Sequence, residues 1–200
     1  QELAHERHVH DDHAFASRLT FAGRDGTTHQ LVEPTNPGQV SDDLNVHVDA
    51  AKKLANSAVG SYVAKRLDLP LLVPIFPRPQ TGWELYTHAL DRDTMLVEDG
   101  PMRRLDLQLL AMIDDARKHL RAYGVATQEK VLLTGFSASA TFSNRFTLLH
   151  PERVRAVATG GLNAMHIVPS ATLDSVALPY PLGISDLQEV AGVTFRPSAW

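Results

Sequence analysis

The 200-residue chain has no cysteine, no long apolar run and no strong excess of one charge sign. The absence of cysteine excludes disulfides and thiolate metal sites. No apolar run approaches the roughly 20 residues that a membrane-spanning helix needs, so we expect no membrane span. The formal net charge of −4 leaves no basic footprint, so we do not expect nucleic acid as a partner.

The rest of the composition, with 44% apolar and 21% charged residues, is that of a globular domain. We interpret residues 1–17 as a polar, histidine-rich N-terminal segment and residues 18–200 as one domain. The histidines of that segment are His5, His8, His10 and His13. They could bind a divalent metal ion, but a solvated terminus is the simpler interpretation, because no later segment supplies a matching ligand cluster. We therefore expect no metal site.

Helices and strands are predicted to alternate along the domain. Residues 18–21 and 28–33 flank a glycine-containing turn and predict a hairpin. Short apolar runs predict further strands at 69–76, 130–134 and 154–159, and helical periodicity predicts helices at 42–63, 103–123 and 138–149. Alternation of this kind predicts an α/β fold with a mainly parallel sheet and an antiparallel N-terminal edge. In such a sheet, ligands collect at the carboxyl ends of the strands.

The sequence VLLTGFSASA places Ser137 between a predicted buried strand and a predicted helix. A sharp strand-to-helix turn requires small residues two positions before and after it, and here they are Gly135 and Ser139. This is the pattern of a nucleophile elbow, which projects the serine hydroxyl above the sheet. The N–H of Ala138 would then lie at a helix N-terminus, where it can donate to an oxyanion. The alternative is that Ser137 or Ser139 only caps the helix.

The stretch VLLTGFSASATFSNRFTLLHPERVRAVATGG, residues 131–161, resembles the α/β-hydrolase superfamily, in particular esterases and polyhydroxyalkanoate depolymerase-like hydrolases. The resemblance implies a three-layer sandwich and a serine esterase that forms an acyl-enzyme on Ser137. It also implies a small-molecule or polymeric ester as substrate. The mechanism uses side chains and water, so we expect no cofactor.

A second oxyanion donor is expected in the loop after the strand that ends at Glu33. Pro34 and Pro37 have no N–H, so the candidate donors lie between and after them, and we select Asn36. The alternative is that this loop is only a proline-rigidified turn. It also departs from the resemblance, because many members have His-Gly here.

The catalytic acid and histidine are harder to place. The chain order should be serine, acid, histidine. After Ser137 the histidines are His150 and His166, and the carboxylate before His166 is Glu152, at a predicted solvent-facing helix end. We therefore expect the acid and the histidine beyond Trp200, and the C-terminal part of the fold to be missing from this chain.

Aromatic residues after a predicted strand end can line a substrate pocket. Trp83 and Tyr86 are candidates, with His166 as a third from a later loop; local packing is the alternative for each. His88 with Asp91 and Asp93 is a weak metal-site pattern. Two function classes remain: a serine esterase, and a non-catalytic binding protein or inactive fragment with the same fold. Acyl transfer to another acceptor is a third possibility.

Overall fold

The computed structural model describes residues 16–18, 28–34, 40–76, 78–85, 89–162 and 166–195. The strands of its main sheet are β1 (Ala16–Arg18), β2 (Leu31–Val32), β3 (Leu71–Val73), β4 (Val131–Phe136) and β5 (Val154–Gly160). The helices are α1 (Leu44–Ala55), α2 (Lys65–Leu67), α3 (Arg92–Met95), α4 (Leu105–Ala122), α5 (Ala138–Leu149) and α6 (Leu187–Ala191). A π-helical turn, Val59–Ala64, leads into α2, and a 3₁₀ turn, Pro151–Arg153, precedes β5.

The main sheet has the strand order β1-β3-β2-β4-β5. All neighbouring pairs are parallel except β1–β3, which is antiparallel. The predicted α/β class, the mainly parallel sheet and its antiparallel N-terminal edge are therefore confirmed. The parallel pairing also brings the carboxyl ends of β2, β3, β4 and β5 to one edge of the sheet, as expected.

The predicted hairpin of residues 18–21 with 28–33 is wrong. β3 lies between β1 and β2, so the two strands do not pair with each other. The turn signal at Gly23 and Gly26 falls outside the described residues. Local turn chemistry favoured a hairpin, but burial of β2 between two other strands competes with it, and Leu31 and Val32 are both almost completely buried.

Two hydrophobic clusters lie on opposite faces of the sheet. Alternate strand residues point to alternate faces, so Leu31 and Leu71 pack toward α1, whereas Val32 and Leu72 pack toward α4 and α5. Helices thus cover both faces, which is compatible with a three-layer α/β fold. α5, with eleven of its residues buried, is almost wholly enclosed, whereas α4 buries one stripe.

The chain after β5 packs beside the helices. Its only strands in the described range, β6 (Thr172–Leu173) and β7 (Val176–Ala177), form a separate two-stranded hairpin. Polar contacts attach this segment to α3 and to the residues just before it: Arg92 Nη1 is 2.5 Å from Asp186 Oδ2, and the Tyr180 hydroxyl donates to the Leu90 carbonyl. The Tyr180 N–H also donates to Asp186 Oδ1 at 2.7 Å. Within the described ranges, β5 therefore has β4 as its only neighbour.

Candidate functional site

Ser137 stands alone between the last residue of β4 and the first residue of α5. Its backbone has φ 60° and ψ −121°, a conformation that residues with a Cβ rarely adopt. Such a conformation costs on the order of 1–3 kcal/mol and persists only where the surroundings enforce it. Two backbone hydrogen bonds do so here. The Ser137 N–H donates to Gly160 O at 3.1 Å, and its carbonyl accepts from Thr141 N–H at 3.1 Å.

Gly135 is required by a close approach of α5 to β4. A Cβ at this position would lie 2.5 Å from the carbonyl oxygen of Ser139, well inside van der Waals contact. The opposite small residue, Ser139, is almost fully buried. Strand and helix therefore approach each other as closely as the sequence pattern requires.

The two serines of the turn have different surroundings. The Ser139 hydroxyl accepts from Phe136 N–H at 2.9 Å and has two acceptors near its own hydrogen, Phe136 O and Glu33 Oε1, both at 3.0 Å. The Ser137 side chain makes no capping hydrogen bond, and no partner for its hydroxyl occurs in the described part of the chain. Ser139 therefore braces the turn, while the Ser137 hydroxyl bonds to no residue in the described ranges.

Ala138 supplies the donor next to that hydroxyl. It is the first residue of α5, so its N–H has no acceptor within the helix. No acceptor outside the helix is found among the residues that the structure describes. An unpaired N–H at the positive end of a twelve-residue helix is suited to bind a developing negative charge.

Glu33 is a component of the site that the sequence did not single out. It directly follows β2 and is 4% exposed, and its Oε1 bonds to the Ser139 hydroxyl. Its Oε2 is buried and has no hydrogen-bond partner among the described residues. Burial raises the pKa of this carboxyl to about 7, although the hydrogen bond from Ser139 lowers it in part. In the sequence, the signal that could have identified Glu33 as a site residue was its position directly after a buried apolar strand.

The other predicted residues are only partly placed. Asn36 and Tyr86 lie outside the described residues. Trp83 is half exposed on a turn, without a ring contact to any described residue. His166 is exposed, and the N–H of the following Ile167 is 3.4 Å from Asn144 Oδ1. Asn144 lies two helical turns beyond Ser137, about 10 Å along the axis, so the structure does not bring His166 to the serine.

A buried histidine–aspartate pair does occur, but at the other end of α5. His150 Nε2 lies 2.9 Å from Asp106 Oδ2, and Arg104 binds both oxygens of the same carboxylate. Burial would raise the pKa of Asp106, but hydrogen bonds from His150 and Arg104, with their charges, lower it to about 2. The twelve residues of α5 separate this pair from Ser137 by about 18 Å, so His150 is not its base.

Metal and membrane features are absent from the described ranges. No group of three histidine, aspartate or glutamate side chains there could hold a metal ion. Asp91, from the weak metal pattern, instead pairs with Arg145, while His88 and the N-terminal histidines lie outside these ranges. None of the helices found there is long and apolar enough to cross a bilayer.

A groove of about 470 Å³ lies at the opposite end of the sheet from Ser137. Its lining is entirely charged: Asp114, Arg117, Lys118, Arg121, Glu129 and Arg153. Asp114 pairs with two of these guanidinium groups, at 2.6 and 3.4 Å. The groove is therefore a surface ion-pair network, and it contributes nothing to the serine site.

Comparison of the chain with protein-family models, with curated proteins and with solved structures finds no match in any of the three. The geometry at Ser137 is therefore the basis for assigning a function.

Proposed function

We propose that this chain is a serine hydrolase of the α/β-hydrolase type that cleaves carboxylic esters through an acyl-enzyme on Ser137. The observation that carries the proposal is the backbone of Ser137, held at φ 60° with its hydroxyl bonded to none of the described residues. A cap would use that hydroxyl on the helix N–H groups. Strain at a position whose side chain supports nothing in the fold is typical of functional sites.

The proposed chemistry begins when the Ser137 oxygen attacks the ester carbonyl carbon and a base takes its proton. The carbonyl oxygen becomes an oxyanion, to which Ala138 N–H donates; Asn36 N–H is the proposed second donor. Collapse expels the alcohol, protonated by the same base, and leaves the acyl group on Ser137. Water then attacks the ester, the acid is released and the serine regains its proton.

The base is a histidine and its partner a carboxylate, both supplied by residues other than those the structure describes. His150 is too distant from Ser137, and His166 lies beside the middle of α5. We therefore propose neither of them as the base.

The proposed ester-binding surface includes Phe136, which precedes Ser137 and is 72% exposed. An exposed ring at this point can contact the apolar part of an acyl or alcohol group. Trp83 and Tyr86 remain candidate pocket walls. His166 is the weakest of the predicted lining residues because it lies toward the middle of α5.

The competing function is a non-catalytic binding protein with the same fold. It is favoured by one observation: no histidine or carboxylate bonds to Ser137 within the described ranges. Acyl transfer would use the same serine with an acceptor other than water.

The test is covalent labelling with a fluorophosphonate probe on the protein at its native length, followed by mass spectrometry of the labelled peptide. We expect label on Ser137, and Ser137→Ala should abolish it while circular dichroism stays unchanged. Ser139→Ala is the comparison variant: it removes the other serine of the turn and leaves the Ser137 hydroxyl, so it should slow the labelling without abolishing it. Loss of label in Ser139→Ala alone would assign the wrong serine, and an unlabelled wild type would favour the binding protein.

A further inference from the structure

Glu33 is a buried carboxyl that makes one hydrogen bond to the part of the chain that the structure describes. Its Oε1 is 3.0 Å from Ser139 Oγ, whereas its buried Oε2 has no partner in that part of the chain. A buried carboxylate with an unsatisfied oxygen is costly, whereas a protonated carboxyl is much less so. The position thus favours a carboxyl that holds its proton and can donate it in a hydrogen bond.

The Ser139 hydroxyl connects Glu33 to the residue before Ser137. It has one hydrogen and two acceptors at 3.0 Å, Glu33 Oε1 and Phe136 O. When Glu33 is ionised, it attracts that hydrogen. When Glu33 is protonated, it donates to Ser139 Oγ, and the serine hydrogen turns to Phe136 O. Ser139 then bonds both the N–H and the carbonyl of Phe136 and holds the turn from both sides.

The surroundings of Glu33 are uncharged. The neighbouring strand segments, Leu71–Val73 and Val131–Phe136, contain no ionisable residue, and neither do residues 137–140 at the start of α5. The sequence of the following loop, residues 34–40, contains none either. On α1, the buried ionisable side chain is His47, and its Nε2 bonds Ser41 O at 2.9 Å. Among the residues that the structure describes, no side-chain cation pairs with Glu33, so its ionised form would be uncompensated there.

We propose that Glu33 is a positioning residue for Ser137, which acts through the Ser139 hydroxyl and supports the reaction only while its carboxyl is protonated. This inference rests on the proposed function of Ser137. The protonated form braces Phe136, and it leaves the amino end of α5 free to bind the oxyanion. The ionised form releases that brace and puts a second negative charge at the same helix end, where like charges repel. Because burial raises the pKa of Glu33 to about 7, the change falls near neutral pH.

The experiment measures the rate of fluorophosphonate labelling at Ser137 from about pH 5.5 to about pH 9 in three proteins. They are the wild type, Glu33→Gln and Glu84→Gln, the last an exposed glutamate used as the matched control. The wild-type rate should rise with pH as the histidine base loses its proton, and then fall about tenfold as Glu33 ionises. Glutamine keeps the shape and an N–H donor but cannot ionise. Glu33→Gln should therefore lose only the alkaline fall, and Glu84→Gln should keep both limbs.

A second readout does not depend on labelling. The urea midpoint of the wild type should fall between about pH 4.5 and about pH 7, because over this range the unfolded chain has released a proton that the folded protein still holds. Glu33→Gln should lack that fall.

The outcomes separate the two proposals. The role of Glu33 alone is overturned if Ser137 is labelled and the labelling rate falls at alkaline pH equally in wild type and Glu33→Gln. It is also overturned if Ser137 is labelled and the wild-type rate does not fall at alkaline pH. No label on Ser137 at any pH overturns the serine hydrolase, and the positioning role falls with it. In that case, if the urea midpoint still falls with pH in wild type and not in Glu33→Gln, Glu33 contributes to stability only.

Discussion

At the amino end of α5, Ser137 has a strained backbone and a hydroxyl that bonds to none of the described residues, whereas at the carboxyl end His150 is buried and bonded to Asp106. Both ends offer residue types used in hydrolase catalysis. At the carboxyl end, Asp106 binds both His150 and Arg104, so the pair holds α5 to α4. At the amino end, a hydroxyl, an N–H and a carboxyl oxygen have no partner among the described residues, and they lie at a strained turn. Unsatisfied groups at a strained turn, more than residue types, favour the amino end as the proposed site.

Asp106→Ala should have the largest effect on stability. It leaves the buried His150 and the guanidinium of Arg104 without their shared partner, which typically costs 3–5 kcal/mol. Asp115→Ala on the same helix is the control, since its pair with His119 is exposed and should contribute under about 1 kcal/mol. Urea unfolding measures the loss of unfolding free energy in both variants. Equal losses would contradict the prediction that the buried pair contributes more than the exposed one. Neither variant should change the labelling of Ser137 while the protein is folded.

The contributions of the two ends of α5 to the unfolding free energy should also change with pH in opposite directions. The pKa of Glu33 is raised from 4.5 to about 7, so its contribution of roughly 3 kcal/mol is full below pH 4.5 and is lost as pH rises to about 7. The pKa of Asp106 is lowered from 3.8 to about 2, so its contribution of about 2 kcal/mol is present above pH 3.8 and is lost as pH falls through about 2. Unfolding free energies of wild type, Glu33→Gln and Asp106→Asn across this range measure both. Slopes of the same sign would refute the contrast.

Gly135→Ala should cost about 2–3 kcal/mol, because its Cβ would lie 2.5 Å from the Ser139 carbonyl and must displace α5. Gly100→Ala is the control: φ is 82° there, but nothing lies within 4 Å of the new Cβ, so only about 1 kcal/mol of backbone strain is expected. Thermal unfolding distinguishes the two. If Gly100→Ala lowers the free energy of unfolding by as much, the close approach of α5 to β4 does not explain the loss in Gly135→Ala.

Ser137→Gly should have the smallest effect, and it should be stabilising. Glycine adopts φ 60° freely, so removing the Cβ relieves strain at the turn and adds about 1 kcal/mol after the extra entropy of the unfolded chain is deducted. Ser137→Ala keeps the Cβ and should leave stability nearly unchanged. Chemical denaturation measures both, and a destabilised glycine variant would show that the turn is not strained.

The sequence predicted those parts of the fold whose signals are local. α5 was predicted with its observed bounds because a buried strand, a sharp turn and Pro151 delimit it. α4 begins and ends within two residues of its prediction, since Gly124 follows its last turn. Strand pairing is non-local, so the turn signal near Gly23 suggested a hairpin that β3 in fact prevents.

The same distinction applies to the site. The turn at Ser137 is specified by five consecutive residues, so the sequence pattern predicts it. Glu33 reaches Ser139 across 106 residues of sequence, and His150 reaches Asp106 across 44. Contacts over such separations depend on the strand order, which periodicity does not reveal. The unpaired state of the Ser137 hydroxyl could not be read from the sequence either, because a cap and a nucleophile use the same residue.

The Ser137 N–H donates to Gly160, the last residue of β5. β5 has β4 as its only neighbour among the described residues, so it is one of the two edge strands of the main sheet, and β1 is the other. A pulling force that separates β5 from β4, starting at its carboxyl end, would break the Ser137 bond first. The backbone conformation of Ser137 therefore depends on β5 staying paired with β4.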